Sequence, residues 1–95
     1  MRVISRKRIV GFGRLHADAV APLDAWHRTA LWAKWRNLME VREVFPHADP
    51  VGERTVFNIA GNKYRLIARV NYETQRIFVL EILTHSQYDK GDWKK

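Results

Sequence analysis

Two groups of side chains in this 95-residue sequence have types and spacings that could act on a phosphodiester bond. Lys63, Arg65 and Arg69 fall at alternating positions of a β-prone run, so they would point to one side of a strand, where neighbouring positions are about 7 Å apart. His85 and Tyr88 are three residues apart, so one helical turn would place them on the same side. The sequence therefore predicts a row of cations near a histidine–tyrosine pair.

RNA cleavage through the ribose 2′-hydroxyl needs a base for that hydroxyl, an acid for the leaving 5′-oxygen and cations for the crowded phosphate. Histidine exchanges protons near neutral pH, so His85 is the predicted general acid or base, with Tyr88 positioning or sharing that role. Lys63 and Arg65 would stabilise the transition-state phosphate, and Arg69 would hold the substrate backbone. The reaction needs no metal or other cofactor, because the nucleophile belongs to the substrate.

The row of cations could also be an ordinary solvated face of the sheet, and the alternation alone favours this interpretation. Small antiparallel sheets commonly keep one face in water, and charged side chains are stable there. The functional interpretation gains support because no carboxylate is interleaved with the cations. Three like charges repel each other and attract an external anion or the acidic groups of a partner.

The second half of the chain predicts the elements that position these residues. The run from Thr55 to Tyr72 is typical of two strands joined by a tight turn, since Gly61 and Asn62 tolerate the positive φ that such turns need. The segment 76–84 is almost continuously apolar and predicts a central strand. Residues 85–90 predict a short helix or turn directly after that strand.

The first half predicts mainly helices. The expected elements are a short strand at 2–4, Ser5 as the N-cap of a basic helix from Arg6 to about His16, a linker at 16–21, a helix from Pro22 to about Asn37, a short helix at 38–45 and an irregular loop at 47–52. The predicted fold is one α+β domain over residues 1–95. Two N-terminal helices would pack on one face of a small, mostly antiparallel twisted sheet, and the other face would be open.

Composition narrows the class of partner. The net charge of +7 and the pI near 10.3 favour nucleic acid, an anionic membrane or an acidic protein. The chain has no cysteine, and His16, His27 and His47 lack ligand spacing, so no metal site is expected. No apolar run approaches the length of about 20 residues that spans a bilayer, so we expect a cytoplasmic protein without a membrane partner.

Four blocks of sequence, taken in order, cover nearly the whole chain: Met1–Ile4 before a basic helix, Val44-Phe45-Pro46, the run VFNIAGNKYRLI at 56–67, and Thr84-His85 with Tyr88-Asp89-Lys90. Together they resemble the HigB-type toxins of bacterial type II toxin–antitoxin systems, within the RelE-like mRNA interferases. The family pattern often has glycine at the position of Ala60 and an acidic residue at that of Gln87.

The resemblance implies a RelE-like or barnase-like fold and endonucleolytic cleavage of mRNA, usually on the translating ribosome. It also implies neutralisation by a HigA-type antitoxin with a helix-turn-helix domain, so that DNA would be contacted only through the antitoxin. Part of the site assignment follows the family motifs, namely Asn62, Lys63, Arg65, His85, Tyr88 and Asp89. The residues predicted to bind RNA are Arg69, Asn62, Asn71 and Lys90.

Two other functions are consistent with the same net positive charge. A non-catalytic module that binds RNA or the ribosome would need the strand arginines but not His85. A protein-interaction subunit would use its basic face only to receive an acidic partner, and it would have no affinity for RNA at low salt.

Overall fold

The computed structural model describes residues 1–94 and has an α+β fold. The helices and strands are β1 (Arg2–Ile4), α1 (Arg6–Leu15), α2 (Val20–Trp32), α3 (Leu38–Val44), β2 (Asp49–Val51), β3 (Arg54–Ile59), β4 (Tyr64–Asn71), β5 (Arg76–Thr84) and α4 (His85–Lys90), with single 3₁₀ turns at Ala17–Ala19 and Asp92–Lys94. Among these residues, no helix combines the length and apolar character needed to cross a membrane.

The sheet has five strands in the order β1-β5-β4-β3-β2. All neighbouring strands are antiparallel except β1, which pairs in parallel with β5. The predicted hairpin at 55–72 and the strand at 76–84 are confirmed. A bulge between Ile67 and Ala68 interrupts the β4–β5 ladder, yet Arg65 and Arg69 still lie on the face opposite the helices.

The main core lies between the sheet and the N-terminal helices, as the sequence predicts. Trp26 and Leu23 of α2 are almost fully buried there, together with Phe57 and Leu66 of the sheet. The Trp26 and Phe57 rings meet edge to face at 5.4 Å between centroids. Burying each such side chain contributes about 1.5–3 kcal/mol, so this layer supplies most of the apolar stabilisation.

The opposite face of the sheet is partly covered, which corrects the prediction of an open face. Val56 and Ile67 form a second apolar cluster with Trp93 of the C-terminal 3₁₀ turn, and Tyr88 of α4 packs against it. The chain returns over the sheet after β5, and two large aromatic rings follow in that segment. This small layer builds a wall beside the β4 cations.

The predicted second helix is wrong at both ends. It begins at Val20 rather than Pro22, and it ends at Trp32 rather than near Asn37. Ala33 is extended, and the amino group of Met1 donates to the carbonyls of Ala30, Leu31 and Ala33, which satisfies the end of the helix. Trp35 is buried, although it lies outside the helix.

Three smaller predictions in this half also need correction. Ser5 precedes α1 but has a left-handed φ of 76° and makes no side-chain cap. The predicted linker contains the 3₁₀ turn Ala17–Ala19 and the start of α2. The predicted loop at 47–52 contains β2, an edge strand whose Pro50 is tolerated because one side of an edge needs no amide donor.

Candidate active site

The β3–β4 turn and the start of α4 meet because of strand register. Tyr64 pairs with Thr84 at the end of the β4–β5 ladder, so the residues just beyond this pair are brought together. The amide of His85 donates to the carbonyl of Lys63 at 3.0 Å. In consequence the side chains of Arg65 and His85 touch, with 3.3 Å between Nη2 and Nδ1.

A capping box begins α4 at this point. The Thr84 hydroxyl accepts from the amide of Gln87 at 3.2 Å, and the Gln87 side chain accepts from the amide of Thr84 at 3.0 Å. The strand therefore ends at Thr84, and His85 becomes the first helical residue. Its imidazole is about half exposed and stands at the mouth of the site.

Arg65 is the most buried charged residue of the site, with 9% of its surface exposed. Its Nη1 donates to the carbonyls of Asn62 at 3.1 Å and Tyr64 at 3.2 Å, and its Nη2 donates to the Asn62 side chain. No carboxylate within residues 1–94 forms an ion pair with Arg65. A buried guanidinium held only by neutral groups keeps its positive charge available for an anion.

Both ring nitrogens of His85 have partners. Nδ1 lies beside the Arg65 guanidinium, which can only donate, so Nδ1 acts as an acceptor. Nε2 lies 3.0 Å from a carboxylate oxygen of Asp89, four residues further along α4. This geometry fits a proton on Nε2 directed at Asp89 and a lone pair on Nδ1 facing the site.

Tyr88 forms the aromatic side of the site. Its ring lies against the Arg65 guanidinium, 5.4 Å from ring centroid to Cζ, and stacks on Trp93 at 5.0 Å between centroids. Burial raises the pKa of the Tyr88 hydroxyl, and Asp49 adds to this effect. The phenol therefore stays protonated around neutral pH and can donate a hydrogen bond.

The side chain of Lys63 has a different partner from the side chain of Arg65. Its ammonium pairs with Asp18 in the 3₁₀ turn before α2, and the Tyr64 hydroxyl donates to the same carboxylate at 2.6 Å. Hydrogen bonds from Lys63 and Tyr64 lower the pKa of Asp18, and the bond to Asp18 raises the pKa of Lys63. The expected row of three unpaired cations is thus wrong, since Asp18 neutralises one end of it.

The remaining predicted RNA contacts lie away from His85. Arg69 is about 13 Å along β4 from Arg65 and faces Glu53 at 3.8 Å. Asn71 is about 20 Å from Arg65, and its side-chain oxygen accepts from the amides of residues 73 and 74 at 3.1 Å each. Lys90 is exposed and lies about 140° around α4 from His85.

Asp89 and Asp18 have contacts here that the residue patterns alone did not predict. The sequence contains a pattern that could have predicted the His85–Asp89 contact, because residues four apart on a helix face each other and carboxylates pair with imidazoles. No sequence pattern indicates the contact between Asp18 and Lys63, because Asp18 lies 45 residues before Lys63. No group of three or more His, Cys, Asp or Glu side chains that could hold a metal ion occurs in residues 1–94.

Together, five residues form what we term the Arg65–His85 cluster: Asn62, Arg65, His85, Tyr88 and Asp89. It combines a buried cation, a proton-exchanging ring oriented by a carboxylate, and a phenolic donor. Such an arrangement can hold a phosphate and move a proton beside it.

Comparison with known proteins gives consistent matches. Residues 19–91 match the family model HigB_toxin, described as the RelE-like toxic component of a toxin–antitoxin system. The chain is 27% identical over 92 residues to the mRNA interferase toxin HigB of Escherichia coli K12, covering 94% of this chain and 88% of that protein. It is 29% identical over 93 residues to the mRNA interferase HigB of Escherichia coli O6:H1, covering 95% of this chain and 90% of that protein.

The matched span includes the β3–β4 turn, β5 and α4, and therefore every residue of the Arg65–His85 cluster. It also includes α2 and α3, so the match extends over both layers of the fold. The chain belongs to the HigB family of RelE-like toxins, the toxic components of toxin–antitoxin systems.

Proposed function

We propose that this toxin is an mRNA interferase that cleaves mRNA at the Arg65–His85 cluster by metal-independent acid–base catalysis. The observation that carries the proposal is the contact between the buried, carboxylate-free guanidinium of Arg65 and Nδ1 of His85 at 3.3 Å. The relatives named mRNA interferase support the choice of substrate.

In this mechanism the ribose 2′-oxygen attacks the adjacent phosphorus and the bond from phosphorus to the 5′-oxygen breaks, leaving a cyclic phosphate and a free 5′-hydroxyl. His85 supplies one of the two proton transfers while Asp89 orients its ring, and a solvent water supplies the other, so that the proton lost by the 2′-oxygen is balanced by the proton gained by the 5′-oxygen. Arg65 neutralises the charge that develops on the phosphate oxygens. Tyr88 donates to the same phosphate and positions it.

The natural setting of this reaction is the cytoplasm, where the toxin meets mRNA on translating ribosomes. Its net charge of +7 attracts the RNA backbone and makes binding dependent on salt. Its inhibitor is a HigA-like antitoxin with a helix-turn-helix domain. DNA is contacted only through that antitoxin.

The test is expression of variants followed by measurement of growth arrest and mRNA cleavage. Arg65→Ala and His85→Gln should each lower cleavage by about 10²–10³-fold. Arg65→Lys should also fail, because an ammonium cannot keep the forked contacts that hold the guanidinium. Arg76→Ala, which removes an exposed cation from the far end of β5, is the matched control and should retain full activity.

Thermal unfolding of each variant separates loss of chemistry from loss of fold. Undiminished cleavage by folded Arg65→Ala and His85→Gln proteins would overturn the assignment. If RNA binding depended on Arg65 but translation stopped equally well without His85, the non-catalytic RNA-binding function would replace this one.

A further inference from the structure

Trp32 is an exposed aromatic residue in a fold that buries its other tryptophans. It is the last residue of α2, and 84% of its surface is accessible, the largest value among the big apolar side chains of residues 1–94. Trp26, Trp35 and Trp93 are at most 8% exposed. Tryptophan is mostly buried in folded proteins, because its large ring gains free energy on leaving water. The ring of Trp32 is instead available to a ligand.

This ring lines a surface groove that carries positive charge. The groove has a volume of about 500 Å³, and its lining also includes Arg2, Leu31, Lys34, Arg36 and Gln75. No carboxylate lines it. Arg36 pairs with Glu40, but Arg2 and Lys34 are exposed and form no ion pair with any of residues 1–94. We term this surface the Trp32 groove, in which two unpaired cations accompany an open indole.

Gln75 contributes a fixed hydrogen-bond acceptor to the same groove. Its side-chain nitrogen donates to the carbonyls of Trp35 at 2.7 Å and Tyr72 at 2.8 Å. Its side-chain oxygen has no hydrogen-bond partner within residues 1–94. Because both amide hydrogens are engaged, the side chain is held in place, and its oxygen can accept from the amino group of a base.

We propose that the Trp32 groove binds single-stranded RNA, namely a segment of the substrate RNA away from the cleaved bond. One base would stack on the indole, and phosphates beside it would meet Arg2 and Lys34. The identity of this RNA rests on the proposed function. The groove contributes to affinity for RNA and takes no part in the chemistry.

The Trp32 groove lies far from the Arg65–His85 cluster. Strand β4 begins at Tyr64 beside the cluster, and the turn that carries Gln75 follows its other end. The eight residues of β4 span about 23 Å, so a base on Trp32 is several nucleotides from a phosphate at Arg65. An RNA long enough to reach both sites should bind more tightly than a short one, because its second contact forms within the complex.

The lining of the groove favours RNA over a protein. Proteins hold single-stranded RNA on aromatic faces flanked by cations, and stacking of this kind tolerates any base. A docked protein helix needs a continuous apolar stripe, whereas cations and an amide interrupt the apolar lining here. The net charge of +7 also favours the RNA backbone.

Affinity for an RNA oligonucleotide tests the proposal. The probe is an unstructured RNA of about 12 nucleotides, measured by fluorescence anisotropy with toxin that carries His85→Gln, so that the RNA stays intact. Trp32→Ala should weaken binding by about tenfold, and Trp32→Phe, which keeps an aromatic face, should retain most of the affinity. Lys34→Ala should weaken binding severalfold and lower the salt slope by about one.

Two residues of α3 provide matched controls. Met39 is 78% exposed, and Arg42 is an exposed cation, so their variants remove similar apolar surface or charge elsewhere on the molecule. Met39→Ala and Arg42→Ala should bind the RNA within about twofold of the parent. Circular dichroism and thermal unfolding confirm that every variant is folded before it is scored.

Two further readouts separate a contact with RNA from a general loss of affinity. A base stacked on Trp32 should quench tryptophan fluorescence, and this quenching should be lost in Trp32→Phe. With His85 intact, Trp32→Ala should raise KM for the RNA of about 12 nucleotides without changing kcat. Cleavage of an RNA of about 4 nucleotides, too short to reach from the cluster to the groove, should be unaffected.

Equal affinity of folded Trp32→Ala and its parent for the longer RNA would overturn the proposal. So would unchanged RNA affinity together with weaker binding of the purified antitoxin, which would identify a protein as the occupant. Binding is measured without cleavage, so these outcomes differ from failure of the proposed function, which would appear as undiminished cleavage by His85→Gln.

Discussion

Ala60 carries backbone strain at the turn that supports the site. Its φ is 55°, in the left-handed region, and Gly61 follows with a φ of 67°. An L-residue with a Cβ is destabilised there by about 1–2 kcal/mol, whereas glycine is not. Glycine, which the family pattern often has at this position, would relieve the strain without changing any side-chain contact of Arg65.

We expect Ala60→Gly to raise the free energy of unfolding by up to about 1 kcal/mol. The relief of backbone strain is partly offset because glycine gives the unfolded chain more conformational entropy. Urea denaturation of both proteins measures the difference. Gly61→Ala is the reciprocal control and should destabilise the protein, because it adds a Cβ at positive φ. A loss of stability in Ala60→Gly would show that the turn does not keep this backbone conformation.

The β3–β4 turn is held from two sides. On the helix side, Asp18 accepts from the Tyr64 hydroxyl and pairs with the Lys63 ammonium. On the α4 side, the carbonyl of Lys63 accepts from the amide of His85. Lys63 thus joins the helical layer to the start of α4, and we infer that it positions His85 rather than contacting the phosphate.

This role predicts that Lys63→Met and Asp18→Asn act alike. Each should lower kcat by about fivefold with little change in KM, and the double variant should be no worse than either alone. Arg36→Met, which breaks an exposed ion pair with Glu40, is the control and should leave kcat unchanged. Faster cleavage by Asp18→Asn together with slower cleavage by Lys63→Met would instead place the ammonium on the phosphate.

The two faces of the sheet are covered by layers that differ in polarity. The sheet packs α2 against its core face, while a thin aromatic layer and the Arg65–His85 cluster occupy the other face. His27 lies at the edge of the helical layer, and burial followed by the charge of Arg6 lowers its pKa below the usual value. The folded protein therefore prefers this ring neutral.

Acid should weaken the fold through His27. In the unfolded chain its pKa is the ordinary value of about 6.5, so protonation favours unfolding as the pH falls through that value toward the lower folded-state pKa. We expect wild type to lose more stability between about pH 7.5 and 5.5 than His27→Gln does, by urea denaturation. The exposed His47→Gln variant should follow the wild type, and identical slopes for all three would contradict the prediction.

The strands β1, β3, β4 and β5, the α4 segment and the residue types of the site follow from local patterns, whereas β2 was predicted to be a loop. Alternation along 63–71 is enough to predict which side Arg65 takes, because side-chain direction in a strand has a period of two. The i,i+3 spacing of His85 and Tyr88 likewise predicts that they share a side of α4. These patterns depend on neighbouring residues, so the sequence alone reveals them.

Contacts between segments that lie far apart in the sequence became evident only in the folded structure. Strand register brings Lys63 beside His85, and with it Arg65 within 3.3 Å of the imidazole. The pairing of Asp18 with Lys63 and the capping of α2 by Met1 join residues about 30 to 45 positions apart. Such contacts depend on how layers pack, which no local periodicity records. The residue types of the candidate site were therefore evident in the sequence, whereas the separation of the Arg65–His85 cluster from the Lys63–Asp18 pair arose from tertiary packing.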